Sequence, residues 1–268
     1  MRMCTIGDLT LDVVVRLAGP ISVGGDTDAA IRLSPGGQAA NVAAWAAALG
    51  ADARFVGRRG DDDAARLAAA GLEERGIEVV GPAKGRNGIV CSIVSPDGER
   101  SMAADRGAAT GLRPQDLDPA WLSGCDHLYV SGYALVREPV RSATRRAVDL
   151  ARHAGAVVSV DLASWSVIRD VGAPAFRAAV EELTPGVVFA NEDEERVVGG
   201  PIPGPAWVLK RGARGCSFDG EEREARPVER AVDTTGAGDA LAAGYLVGGP
   251  DLALEAAARC VARLGSMP

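Results

Sequence analysis

The sequence DTTGAGDAL occupies Asp233–Leu241 and says more about this chain than any other stretch. Its two glycines, Gly236 and Gly238, let the backbone adopt unusual dihedral angles and approach a ligand closely. An apolar helical run, Gly236–Val247, starts at these glycines, so free amide N–H groups and the positive end of the helix dipole can hold an anion there. Asp239 falls in the first helical turn, beside that anion site.

The acidic residue in this turn suggests acid–base chemistry. A carboxylate beside a developing phosphoryl charge can accept the proton of an attacking hydroxyl group, so Asp239 is a candidate general base. Asp233 and Thr235 can orient the loop or approach a metal ion, and both are candidate cofactor-binding residues. A bare G-x-G next to a helix is more often a glycine turn that caps the helix, but the nine-residue stretch is far more specific than that.

Asp233–Asp239 resembles the carboxy-terminal signature D-T-x-G-A-G-D of the ribokinase-like (PfkB) carbohydrate kinases. The resemblance implies that the amides of Gly236, Ala237 and Gly238 form an anion hole and that Asp239 is the catalytic base. It also implies ATP and Mg²⁺ as cofactors, a monovalent cation in parts of the family, and a sugar or sugar-like substrate. A nucleoside kinase of the same family is the main alternative, which the low aromatic content disfavours mildly.

The sequence SPGGQAAN at Ser34–Asn41 precedes an Ala-rich helical run and is similar to the N-terminal signature of the family. That similarity implies that Gly36, Gly37 and Asn41 bind substrate hydroxyl groups. From the residues alone, a helix entry with a packed alanine face is the simpler interpretation. Gln38 follows the two glycines, where ribokinases proper often have lysine, so the sequence departs from the ribose-specific pattern at this position.

Two more stretches resemble parts of the family that hold the acceptor substrate. In GDLTLD at Gly7–Asp12, Asp12 matches the family position that binds substrate hydroxyl groups, and the transfer to Asp8 is weaker. Two solvated acids in a turn are the alternative interpretation. In DRGAA at Asp105–Ala109, Arg106 can bind an acidic or phosphorylated group in a bidentate way.

Two predicted strand ends resemble the nucleotide and metal side of the family's site. Asn191 and Glu194 match the N-x-x-E motif, which is linked to Mg²⁺ and phosphate through water. Acidic residues in a first helical turn are also favourable for dipole reasons alone. Lys210, Gly212 and Gly215 resemble the strand and G-x-x-G turn beside the nucleotide, although a solvated basic pair is an equally good interpretation of the cations.

Apolar strand-like runs alternate with helical runs, which predicts an α/β fold with a mostly parallel sheet covered by helices on both faces. The resemblance makes this a ribokinase-like three-layer α/β/α sandwich. Asp161 ends one of the strands, where a cap is a more common role than a substrate contact. The predicted strands are Met3–Gly7, Arg54–Val56, His127–Ser131, Val157–Asp161, Val187–Asn191 and Trp207–Lys210. The predicted helices are Gln38–Leu49, Asp62–Arg75, Glu138–His153, Ala173–Leu183, Gly236–Val247 and Leu252–Leu264.

Two segments, about residues 13–33 and 88–105, interrupt this alternation. The first has no helical period, and the second contains the hairpin turn Pro96–Gly98. We expect both to form a small β lid on a single kinase domain that spans 1–268, with edge strands of the main sheet as the alternative. A homodimer through the exposed face of the lid is a further expectation.

Composition excludes several functional classes. The net charge is −7 and no Lys/Arg-rich run occurs, so neither nucleic acid nor a membrane surface is an expected partner. No apolar run reaches about 18 residues. The five cysteines are widely spread and odd in number, which disfavours a disulfide framework or a zinc site and is typical of a reduced cytoplasmic protein.

Two other functional classes fit the motifs less well. A sugar-binding or regulatory protein without catalytic activity would not need Asp239. A dinucleotide-dependent oxidoreductase would need G-x-G-x-x-G after the first strand, and the residues from Gly7 onward do not provide it. The two histidines fit neither a Ser-His-Asp triad nor H-E-x-x-H.

Overall fold

The computed structural model describes residues 1–97 and 100–268, and thirteen strands and eight helices form within these ranges. The strands are β1 Arg2–Ile6, β2 Thr10–Leu17, β3 Ala29–Gly36, β4 Asp52–Val56, β5 Glu78–Val80, β6 Gly88–Val94, β7 Arg100–Asp105, β8 His127–Ser131, β9 Val157–Asp161, β10 Val187–Asn191, β11 Ala206–Lys210, β12 Cys216–Phe218 and β13 Glu221–Arg223. The helices are α1 Gln38–Ala48, α2 Asp63–Glu73, α3 Val140–His153, α4 Trp165–Val171, α5 Ala173–Glu182, α6 Glu192–Val198, α7 Ala237–Gly248 and α8 Pro250–Val261.

The main sheet has the strand order β13-β12-β11-β10-β9-β8-β1-β4-β5 among the described residues. Every pair from β11 to β5 is parallel, and only the β11–β12 and β12–β13 pairs are antiparallel. The predicted α/β class with a mostly parallel sheet is therefore confirmed. The carboxyl ends of β8, β9, β10 and β11 lie side by side, which brings residues from distant parts of the chain to one edge.

Helices cover both faces of this sheet. On one face α3 and α5 bury apolar side chains such as Phe176 against β8, β9 and β10. On the other face α1, α7 and α8 pack over Met3, Tyr129 and Phe189. Each large apolar side chain buried in this way stabilises the fold by about 1.5–3 kcal/mol, so the central strands and the helices that carry the site are held from both sides.

A second sheet has the strand order β3-β2-β6-β7, with β2 and β6 parallel and the outer pairs antiparallel. The segments 13–33 and 88–105 contribute to it, and Gly98 of the predicted turn lies outside the described residues. Several of its apolar side chains are exposed, among them Ile31, Leu33 and Met102. A lid function for this sheet stays a prediction.

The observed helix and strand limits differ from the predicted ones mostly by one or two residues. Helix α2 begins at Asp63 because Asp62 is its N-cap, with extended backbone and a side chain that accepts a hydrogen bond from the Ala65 amide at 3.0 Å. The short strands β5, β12 and β13 and the short helix α4 were missed, since three to seven residues carry too little periodic signal. Within residues 1–97 and 100–268, no helix combines the length and apolar character that crossing a membrane requires.

The Asp62 cap also connects α2 to the chain before β6, because its other oxygen accepts from the Asn87 amide at 3.0 Å. Replacing Asp62 by Ala removes both bonds, and we expect the free energy of unfolding to fall by about 1–2 kcal/mol. Asp63→Ala is the matched control: its carboxylate is exposed, and Arg66 is its one ion-pair partner in the described parts of the chain, so we expect a loss below about 0.5 kcal/mol. Urea unfolding measures both, and equal effects would contradict the role of the cap.

Candidate active site

The start of α7 is an amide-lined turn that only glycine can form. Gly236 has φ 77°, and a Cβ atom there would lie 2.6 Å from the Cβ atom of Ser266. The helix therefore begins at Ala237 with its first amides unused by the helix, and Asp239 follows in the first turn. Such a helix start favours an anion, both through its N–H groups and through the helix dipole.

The loop before this turn is fixed by its own side chains. Asp233 Oδ1 accepts hydrogen bonds from the amide of Thr235 at 2.8 Å and from its hydroxyl at 2.5 Å. Asp233 Oδ2 accepts from the Gly265 amide at 3.0 Å. These contacts shape the loop that leads to Gly236, which is the orienting role foreseen for Asp233 and Thr235.

Asp239 is oriented by a chain of hydrogen bonds that joins α7, α1 and the segment around Ser266. Asn41 Nδ2 donates to Asp239 Oδ2 at 2.7 Å, and the Ser266 hydroxyl donates to Asn41 Oδ1 at 3.0 Å. The indole N–H of Trp45 donates to the Ser266 carbonyl oxygen at 2.8 Å. Asn41, expected from the sequence to bind substrate, thus holds the carboxylate. Sequence reasoning missed Ser266, since no motif surrounds it.

Lys210 lies against the glycine turn at the start of α7. Its Nζ donates to Asp161 Oδ2 at 2.7 Å, and a Cβ atom on Gly238 would lie 3.3 Å from the same Nζ. Asp161 is fully buried. Its other oxygen accepts from the Ala163 amide at 3.1 Å, so Asp161 caps the strand end, as the sequence favoured, and also holds the lysine. Because of this pairing, Lys210 is not a solvated surface cation, which was the alternative interpretation of the sequence.

The electrostatics of the cluster are set by burial. Burial raises the pKa of Asp239 to about 7, and the nearby Asp161 carboxylate adds to the rise, while the hydrogen bond from Asn41 and the charge of Lys210 oppose it. Burial also raises the pKa of Glu194 to about 6. Burial alone would lower the pKa of Lys210, but the Asp161 and Glu194 carboxylates raise it, so the ammonium group stays charged.

Asn191 and Glu194 bind each other at the start of α6. The amide of Asn191 donates to Glu194 Oε2 and its Nδ2 to Oε1, both at 2.8 Å, and the Glu194 amide donates to Asn191 Oδ1 at 2.9 Å. Carboxylate oxygens can accept further bonds from water. Within residues 1–97 and 100–268, no group of three or more His, Cys, Asp or Glu residues can hold a metal. A contact of this pair with Mg²⁺ through water stays a prediction, and it agrees with the tendency of this ion to keep much of its hydration shell.

The other side of the turn gathers residues predicted to contact the acceptor. Gly37 has φ 99°, and a Cβ atom there would lie 2.2 Å from the carbonyl oxygen of Asp8. A Cβ atom on Gly36 would lie 2.0 Å from Asp12 Oδ1, which accepts from the Thr10 hydroxyl at 2.8 Å. The two glycines thus permit close backbone packing of β3 and α1 against both acids.

Arg106 belongs to the same side but is paired within the protein. It forms an ion pair with Asp8, and its guanidinium carbon lies 3.7 Å from the ring centroid of Tyr133. Asp8, ranked below Asp12 on sequence grounds, is therefore fixed by a cation. Tyr133 had no sequence signal beyond its position after β8.

A cavity of about 660 Å³ opens at the start of α7, beside Lys210 and the Asn191–Glu194 pair. One end is polar and is lined by Gln38, Lys210, Gly238 and Asp239, and the predicted turn residues Gly212 and Gly215 line its side. The other end is apolar and is lined by Val228, Ala231, Leu254, Ala257 and Val261. Sequence reasoning missed the apolar end, because small apolar residues on α8 look like core positions. The arrangement suits a molecule with an anionic end and an apolar end.

Comparison with known proteins gives agreeing results. The model of the pfkB family carbohydrate kinases matches residues 2–267. The ATP-dependent ribose-1-phosphate kinase of Halopiger xanaduensis is 32% identical, over 97% of this chain and 90% of its own length. Fructokinase-1 of Oryza sativa subsp. japonica is 30% identical, over 90% of this chain and 81% of its own length. A provisionally assigned ribokinase II from E. coli, solved with ATP and Mg²⁺, has a TM-score of 0.83 at 22% identity. The match covers 99% of this chain and 94% of the E. coli chain. The predicted ribokinase-like fold is confirmed.

The raised pKa of Asp239 makes stability depend on pH in an unusual direction. The folded protein holds this proton more tightly than the unfolded chain, so stability is lost as pH rises from about 4 to about 7. Asp239→Asn lacks this titration. Its free energy of unfolding, relative to the wild type, should therefore increase by about 1–3 kcal/mol between pH 5 and pH 8.

Urea unfolding at both pH values measures this difference. Asp251→Asn is the control, because it removes an exposed carboxylate on α8 instead of a buried one. A constant difference for Asp239→Asn would show that Asp239 has an ordinary pKa.

Proposed function

This chain belongs to the pfkB family of carbohydrate kinases, and we propose that it transfers the γ-phosphoryl group of ATP to a hydroxyl group of a sugar or sugar-like small molecule. The observation that carries the proposal is the setting of Asp239. A carboxylate whose pKa is raised to about 7 lies in the first turn of α7, near a charged lysine. Phosphoryl transfer to an alcohol requires a base close to groups that stabilise an anion, and this combination supports the proposal.

The 660 Å³ cavity is the proposed ATP site. Its apolar end suits the base, and the amides of Gly236, Ala237 and Gly238 together with Lys210 suit the phosphates. ATP supplies the phosphoryl group, and Mg²⁺ neutralises its charge. Asn191 and Glu194 would hold the metal through water. The similar E. coli structure, which contains ATP and Mg²⁺, supports this assignment. A monovalent cation rests on the family resemblance alone.

In the proposed step the acceptor hydroxyl lies between Asp239 and the second sheet. Its oxygen forms a bond to the γ-phosphorus, the bond from that phosphorus to the β–γ bridging oxygen breaks, and the hydroxyl proton goes to the Asp239 carboxylate. Asn41 occupies Oδ2, so Oδ1, which has no hydrogen bond from the described residues, is the proton acceptor. The helix amides and Lys210 stabilise the negative charge of the transferred group.

The remaining assignments concern the acceptor and its surroundings. Asp12, Gly36 and Gly37 are proposed to bind the acceptor hydroxyl groups, with Asn41 acting on Asp239 instead. The four-stranded sheet is proposed to close over the acceptor and exclude water, a competing nucleophile.

The exposed apolar residues of this sheet, including Ile31 and Leu33, support a homodimer through this face. All five cysteines are free thiols, which suits a reducing cytoplasm.

Replacing Asp239 by Asn tests the proposed base. We expect kcat to fall by about 10²–10⁴-fold, since a general base typically contributes that much. ADP release from ATP–Mg²⁺ is measured against sugars, sugar phosphates, sugar acids and nucleosides. Asp251→Asn is the control and should retain wild-type turnover. Near-normal turnover by Asp239→Asn would remove Asp239 from the mechanism, and turnover of nucleosides alone would favour a nucleoside kinase.

The same base predicts the pH dependence of the reaction. The carboxylate must be ionised to accept a proton, so kcat/KM should fall below an apparent pKa of about 7. Steady-state rates with the best acceptor between pH 5 and pH 9 measure the profile. A rate that stays constant down to pH 5 would contradict the raised pKa of the base.

A further inference from the structure

A second cavity, of about 610 Å³, opens on the acceptor side of the site. Asp8 forms its inner wall, and Asp8 is also the residue whose carbonyl oxygen lies against Gly37. From there the cavity extends past Arg106 and Tyr133 to the start of α3. It therefore adjoins the proposed acceptor site but not the apolar end of the ATP cavity. Its volume is ample for a small polar molecule.

Among the charged side chains that line this cavity, the cations outnumber the anions by one. Three arginines line it, against two carboxylates: Arg106 is paired with Asp8, and Arg86 with Asp105. Arg137, the third, has no ion pair among residues 1–97 and 100–268. The protein as a whole has a net charge of −7. The excess positive charge in this cavity, next to the proposed acceptor site, is therefore a local feature that the overall charge does not predict.

We infer that this cavity binds a phosphate monoester on the acceptor, so that the substrate is a phosphorylated sugar. The inference rests on the proposed kinase function and narrows its substrate class. Arg106 is stacked on Tyr133 and held by Asp8, so its guanidinium is positioned in advance. Arg137 supplies a positive charge that is not paired with a carboxylate among the residues described by the structure.

The chemistry of the lining favours phosphate over carboxylate. A phosphate monoester carries close to two negative charges and three acceptor oxygens, so it can bind Arg106 and Arg137 from different directions. A carboxylate offers two oxygens, which a single guanidinium fork already satisfies. An uncharged sugar would leave Arg137 without a counter-charge. The names of the relatives include kinases of a sugar phosphate and of a sugar, so similarity alone does not decide between them.

The test compares matched pairs of acceptors with the full-length protein and ATP–Mg²⁺. Pentoses and hexoses are assayed beside their monophosphates and the corresponding sugar acids, with ADP release as the readout. We expect kcat/KM for one sugar monophosphate to exceed that for its parent sugar by at least about 100-fold, as expected when several charged contacts are made.

Arg137→Gln tests the residue itself. With the preferred monophosphate, we expect the KM of this variant to be about tenfold above that of the wild type, at nearly constant kcat. Because Arg137 is exposed, we also expect the KM of the wild type to rise with ionic strength. The variant should turn over the parent sugar as the wild type does. Arg146→Gln, an exposed arginine on α3 outside the cavity, is the control and should match the wild type with every acceptor.

The other outcomes separate this inference from the proposed function. Turnover of an unphosphorylated sugar or a sugar acid in preference to the phosphate would overturn the inference but leave the kinase function intact. Equal losses for Arg137→Gln on the phosphate and the parent sugar would also overturn it. An absence of ADP release with every acceptor would overturn both.

Discussion

The ion pair between Lys210 and Asp161 is the interaction on which the rest of the site depends. A buried carboxylate is costly unless it is paired, and this one is fully buried at the end of β9. The lysine that pairs with it comes from the end of β11 and also lies near Glu194 and Asp239. One cation therefore compensates a group of carboxylates, and its position against Gly238 leaves its charge available to an anion.

Burial raises the pKa values of Asp239 and Glu194, and Lys210 opposes this rise only in part. Asp161 takes the direct contact with Lys210, so Asp239 and Glu194 are left with less compensation and hold their protons more tightly than ordinary acids. The same arrangement keeps Lys210 charged. The acid in direct contact with the lysine is thus Asp161, while Asp239, the proposed base, keeps a pKa near neutrality.

The sequence was informative where signals were long or local. Strands β8, β9 and β10 were predicted with their observed limits, because each is a short, mostly apolar run that ends at a polar residue. The turn at Gly236 was predicted because its signature is contiguous. The pairing of Asp161 with Lys210 and the anchoring of Asn41 by Ser266 were not, since such contacts join residues whose separation in sequence carries no signal.

The hydrogen bond from Ser266 to Asn41 also has a consequence for the synthesis of the protein. Asn41 emerges from the ribosome early, Asp239 much later, and Ser266 later still, yet all three must be in place before the carboxylate has its orientation. A translation product that stops before Ser266 lacks the hydroxyl group that holds Asn41, so the hydrogen bonds that orient Asp239 are complete only after Ser266 has been synthesised.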